Sequence, residues 1–147
     1  MKIFATIAFV SGAAIATQAS MNAQLGKLLE SPLLAACIAF GSSIFFTSIA
    51  LVAVSRDFPT IETLQLVPKY LWLSGGFLAA FAISMFYYLI PKMGIGPMMS
   101  FALSGQLIVA VTLGHFGWFD LPVKPINIST SIGVAALVTG IVLINHE

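Results

Sequence analysis

The sequence predicts an all-α integral membrane protein, a bundle of five transmembrane helices, and three observations carry that reading. Charged residues make up 7% of the chain, where a soluble domain carries about 25%. The apolar set reaches 59% and the mean hydropathy is +1.05, so there is too little charge to solvate a surface. The formal charges sit at positions 2, 27, 30, 56, 57, 62, 69, 92, 120, 124 and 147 and leave five long uncharged intervals.

Those intervals, 3–26, 31–55, 70–91, 93–119 and 125–146, are the expected spans, and each holds at least 22 residues. A helix rising about 1.5 Å per residue crosses about 30 Å of hydrocarbon in about 20 residues. Runs such as Ala35-Ala36-Cys37-Ile38-Ala39-Phe40 do not alternate, which argues against the strands of a β-barrel. Short links make sequential helices antiparallel neighbours and leave no room for a soluble region, so the whole chain, 1–147, reads as a single transmembrane domain.

The first span opens on Lys2 and an apolar run that ends near Thr17-Gln18-Ala19, which imitates a secretory signal. The apolar character continues to Leu25, so it is expected to stay as a helix. Gln18 and Asn22 lie four apart, with Ser11 and Leu25 each a heptad from Gln18, and these residues share one face. An amide in hydrocarbon is costly without a partner or a wet cavity. That face should turn inward, either to line a cavity or to hydrogen-bond neighbouring helices.

Ser31-Pro32 suits the start of the second helix, with Ser31 as its cap. The single cysteine, Cys37, falls mid-span and is expected to be a packed core residue. The segment 57–69 sets Phe58, Ile61, Leu64 and Val67 at roughly helical spacing beside Glu62 and Gln65, as a turn of helix in the membrane interface would.

Tyr70 and Trp72 open the third span and Tyr87 and Tyr88 close it, in the manner of interfacial anchors. Trp72, Tyr87 and Tyr88 could contact a cation if any of them turned inward. Gly75 and Gly76 permit a kink or the close passage of a neighbour.

In the fourth span Gly96, Ser100 and Ser104 form an i, i+4 ladder of small residues suited to close helix packing, such as a dimer seam would need. Gln106 lies near mid-depth, which favours a functional role. His115 lies close to the end of the span before Trp118 and Phe119, and two roles fit it: a hydrogen-bonded interfacial residue or a proton sensor. The fifth span carries no candidate.

No aspartate or glutamate lies within a span, which argues against proton coupling through an embedded carboxylate in this chain alone. Paired histidines with an acid, a nucleophile elbow and a phosphate loop are all absent, so no enzyme, cofactor or metal is expected. A net charge of +1 without runs of like charge gives no footprint for nucleic acid. Lys2, Arg56, Lys69 and Lys124 fall on one side and Lys27 and Lys92 on the other, which favours a cytoplasmic N-terminus weakly and permits insertion both ways.

Taken in order, Gln18, Asn22 and Leu25, Ser31-Pro32 with Ala35, Phe40-Gly41, Trp72 with Gly75-Gly76, Pro91, Gly94, Gly105-Gln106-Leu107 and His115-Phe116-Gly117 form a pattern over nearly the whole chain. It resembles the short YdcZ-like inner-membrane family of the drug/metabolite transporter superfamily. The resemblance implies a five-helix half-transporter in the bacterial inner membrane. In that family two oppositely oriented copies, of one chain or of paralogues, are thought to form an antiparallel dimer with the inverted repeat of full-length transporters. The sequence departs from the pattern at Gly114, where relatives often carry an aspartate, and this puts a coupling role for that carboxylate in doubt.

Gln18, Asn22 and Gln106 would then line a site at the repeat interface, with Trp72 and His115 as further cavity candidates. Gly41, Gly75, Gly76, Gly96, Ser100 and Ser104 would serve packing or hinge motion. The expected function is a small secondary transporter, an exporter of a small polar or amphipathic metabolite working by alternating access, with the lipid bilayer, a second copy or paralogue, and the solute as partners. Two alternatives stay open: an antiparallel dimeric channel for a small ion or solute, and a non-transporting structural subunit.

Overall fold

The computed structural model describes residues 2–55 and 58–146; Arg56 and Asp57, at the head of the linking segment, lie outside the described residues. The chain forms two compact units, Met1–Lys92 and Met93–Glu147. The first holds α1 (Lys2–Leu28), α2 (Pro32–Val54), a short α3 (Ile61–Leu66) and α4 (Leu71–Met93).

Between α1 and α2 the chain reverses through a tight set of caps. Ser31 N–H donates to the Gly26 carbonyl at 2.9 Å and Glu30 N–H to that of Lys27 at 3.3 Å. This is the paired bonding of a Schellman motif, and it puts Glu30 in the left-handed region at φ 52°. Ser31 then caps α2, its hydroxyl accepting from Leu34 N–H at 3.2 Å, and Pro32 occupies the first turn, where its missing N–H costs nothing. The return brings the helices close, so the buried residues on both are small: Ala19, Ala23 and Gly26 on α1, Ala35 and Ala36 on α2. A Cβ at Gly26 would stand 3.3 Å from Pro32 Cα and 3.4 Å from Ala35 Cβ. Tight backbone approach through small side chains is how helices associate where no hydrophobic force separates protein from lipid.

The large apolar side chains point outward: Phe4, Phe9 and Phe77 are each more than 70% exposed. Lipid solvates such faces as well as a protein core would. Cys37 follows the same inversion. It was expected to be a packed core residue and is instead exposed on α2, because mid-span position in a membrane helix does not imply contact with another helix. In the linking segment Thr60 caps α3, accepting from Thr63 N–H at 3.3 Å, and every residue of α3 is exposed.

The helix ends correct the expected spans. α4 does not stop at Pro91 but carries it inside the last turn and runs to Met93, ending at Gly94, whose φ of 87° no other residue adopts easily. In the second unit α5 (Ile95–Phe116) falls short of 119, because Gly117 closes it in a left-handed cap at φ 63° and a 3-10 turn, Trp118–Asp120, follows. The last helix, α6 (Ile128–Ile144), starts beyond Pro125: Asn127 caps it, accepting from Thr130 N–H at 2.8 Å.

Four helices, α1, α2, α4 and α5, are long and apolar enough to cross a bilayer, and α6 is a shorter apolar helix. Five full-length spans were expected. At 17 residues α6 rises about 25 Å, a little under the hydrocarbon thickness of about 30 Å.

Candidate functional site

Gln18 and Asn22 sit one turn apart on α1, and that geometry lets one amide reach the other: Asn22 Nδ2 donates to Gln18 Oε1 at 2.6 Å. The same Nδ2 donates to Tyr87 Oη of α4 at 3.0 Å, and Tyr87 Oη donates onward to Gln18 Oε1 at 3.2 Å. The three polar groups close a triangle. In it both Asn22 amide hydrogens, the Tyr87 hydroxyl hydrogen and both acceptor positions of Gln18 Oε1 are used. Tyr87 is 1% exposed and is the largest fully buried side chain among the described residues. Its phenol is the polar link by which α4 reaches α1.

What the triangle leaves over is as informative as what it uses. Gln18 Nε2 keeps its two hydrogens and Asn22 Oδ1 its lone pairs, with no partner among the described residues. Neither atom is among the buried unpaired ones. Both residues line a cavity of about 310 Å³ walled by α1, α2 and α4, within the first unit. The same cavity is lined by Ser42 and Ser43, whose hydroxyls donate to the Ala39 carbonyl at 3.0 and 2.7 Å and so keep lone pairs free. Phe40 and Ile83 supply apolar wall, and no lining residue carries a formal charge. Gln18 lies about 15 Å from the C-terminal end of α1, well inside a membrane-spanning helix.

Of the other candidates, Trp72 belongs to the first unit and Gln106 and His115 to the second. Trp72 is exposed at the start of α4 and does not line this cavity. Gln106 is exposed on α5 in the second unit, and its side chain makes no hydrogen bond among the described residues. His115, at the end of α5, accepts from the Ile126 N–H on Nδ1 at 3.1 Å and packs edge-on against Phe116 at 4.9 Å. Beside it the Gly114 carbonyl accepts from Lys124 N–H at 2.8 Å. A cavity of about 550 Å³ near Gly114, Lys124 and Asn127 opens in this unit. Two of its lining residues bond to each other, Asn127 Oδ1 accepting from the N–H and the hydroxyl of Thr130 at 2.8 and 3.0 Å.

Gly75 and Gly76 leave α4 continuous, and a methyl group at Gly41, Gly75, Gly76 or Gly96 would meet nothing within 4 Å among the described residues. Ser100 and Ser104 turn their hydroxyls back to the Gly96 and Ser100 carbonyls, at 2.9 and 3.0 Å.

Tyr87 entered the sequence reading as an interfacial anchor, and Ser42 and Ser43 did not enter it at all. A usable signal existed. Tyr88 and Lys92 are four apart, and Lys92 Nζ donates to Tyr88 Oη at 2.6 Å while lying 4.0 Å from its ring centroid. Ser84 and Tyr87, three apart, share a different face of the same helix, and both are buried. The anchor role belongs to Tyr88 and the inward role to Tyr87.

Residues 3–143 match the family model described as "Putative inner membrane exporter, YdcZ". Searches of curated proteins and of solved structures gave no significant match.

Proposed function

Because the chain belongs to the YdcZ family of inner-membrane exporters, we propose that it is a small secondary transporter that exports a small polar or amphipathic metabolite, as an antiparallel dimer working by alternating access. Its long apolar helices fit a multi-pass inner-membrane protein, and the family's description as an exporter supports a transporter over an enzyme. The observation that carries the reading is the Gln18–Asn22–Tyr87 triangle beside an uncharged cavity at membrane depth. Amides would be expensive there unless they met a polar solute or one another, and here they do one and stand ready for the other.

Three features support pairing of inverted copies. A unit of three long helices is small for enclosing a path across the bilayer, and the weak charge bias of four basic residues against two permits insertion both ways. The exposed amide of Gln106 also supports a covering partner, since a carboxamide facing hydrocarbon lacks any bond. A two-fold axis in the membrane plane would present the same cavity to each side in turn.

Purified protein in liposomes, loaded with a panel of neutral and charged metabolites, is expected to move at least one of them at carrier rates, with cysteine-accessibility mapping locating both termini on both faces. No flux of any solute, with or without ion gradients, would remove the transporter reading. Termini found on one face only in every molecule would remove the antiparallel homodimer.

A further inference from the structure

We infer that the cavity beside Tyr87 selects an uncharged solute bearing a hydrogen-bond donor and acceptor side by side, of the primary carboxamide type, and rejects both carboxylates and ammonium ions. The inference rests on the transporter reading only for the direction the solute moves, since the recognition chemistry is in the first unit itself.

The hydrogen-bond inventory dictates the class. Within the triangle every donor and acceptor has a partner except one amide NH₂ and one amide carbonyl, Gln18 Nε2 and Asn22 Oδ1. These come from residues one helical turn apart and are of opposite character. A carboxamide offers the complement, a carbonyl for Gln18 and an NH₂ for Asn22. For its second N–H the same lining holds acceptors, the lone pairs that Ser42 and Ser43 keep free because both hydroxyl hydrogens are committed to the Ala39 carbonyl.

Charge is excluded by what the lining lacks. A carboxylate would find a single donor group and no cation, and an ammonium ion would find neutral acceptors and no carboxylate. Either ion would give up its hydration at membrane depth without a counter-charge, which is strongly unfavourable. The Phe40 and Ile83 wall adds room for an apolar body behind the polar head, and about 310 Å³ admits a molecule of one ring.

A matched series separates these possibilities: benzamide, benzoate and benzylammonium share a ring and differ in the charge of the head. Binding to the purified full chain in detergent, by equilibrium dialysis, is expected to favour benzamide by about tenfold or more over either ion. Gln18→Glu keeps an acceptor oxygen for Asn22 and Tyr87 while replacing the free NH₂, so it should weaken benzamide about tenfold and improve benzylammonium. Equal affinity for the three probes, preference for an ion, or no binding of any of them would overturn the inference. So would benzamide binding that Gln18→Glu leaves unchanged in a protein whose melting temperature is intact. Because this measurement needs no transport, a chain that selects benzamide yet moves nothing in liposomes would sink the transporter reading alone. A chain that moves only ions would sink the selectivity alone.

Discussion

The phenol of Tyr87 donates to the side-chain carbonyl of Gln18 across 3.2 Å, tying α4 to α1 over a sequence separation of 69 residues. That bond and its partner from Asn22 are side-chain bonds between spans, worth about 1 kcal/mol each in a membrane protein. Tyr87→Phe removes both and leaves an Asn22 N–H and one acceptor position of Gln18 unfilled. The variant is expected to lose about 1–2 kcal/mol of stability in denaturant titration of the detergent-solubilised protein. Transport should fall further than that loss explains, since the freed amides no longer hold one orientation toward the cavity. Unchanged stability and unchanged flux would mean that the triangle does not hold α4 to α1.

Gly26 marks a tight approach of α1 to α2, with Pro32 Cα 3.3 Å from where its Cβ would sit. Backbone cannot retreat as a flexible side chain could. Gly26→Val is therefore expected to destabilise by about 1–3 kcal/mol through overpacking. Gly41→Ala, at a position with nothing within 4 Å among the described residues, should be neutral or stabilising by up to about 1 kcal/mol from helix propensity. Thermal unfolding of the two variants side by side checks the contrast, and equal losses would contradict it.

Glu30 holds a left-handed conformation at φ 52° in a position that glycine usually fills. A side chain there strains the backbone by about 1–2 kcal/mol, partly offset in Glu30→Gly by the greater freedom of the unfolded chain. The expected result is a gain of about 0.5–1 kcal/mol, read as a higher melting temperature. Topology should not change, because acidic residues contribute little to orientation.

Much of this fold could be read from where charge is missing, since eleven charged positions bracket every long helix. The ends could not be read that way. Charge says where the chain leaves hydrocarbon, whereas Gly94, Gly117 and Asn127 end or begin helices through backbone geometry, which is why α5 stops at 116 and α6 waits until 128. Gln18 and Asn22 were legible as polar groups at helical spacing in an apolar span. Tyr87 was not, because a tyrosine near a span end is as well suited to the interface as to the interior, and only the separate pairing of Tyr88 with Lys92 distinguishes them. Burial was the least legible property. In a membrane chain the small residues Ala19, Ala23, Ala35 and Ala36 are buried while phenylalanines face outward, which reverses the cue that serves for soluble domains.

Two roles were open for His115, and its bond to Ile126 separates them by experiment. Nδ1 can accept the Ile126 N–H only while it carries no proton, so in this geometry the ring holds its hydrogen on Nε2 and acts as a brace between the end of α5 and the start of α6. His115→Phe keeps a ring for the contact with Phe116 but strands the Ile126 amide. That amide is expected to exchange with solvent about fivefold faster, the equivalent of about 1 kcal/mol of lost hydrogen bonding. Benzamide binding in the first unit should be unchanged, and so should the shape of any pH profile for transport. A profile that flattens in His115→Phe, with exchange at Ile126 unaltered, would instead assign the imidazole to proton sensing, because any pH dependence carried by the brace would have to pass through the Ile126 amide it holds.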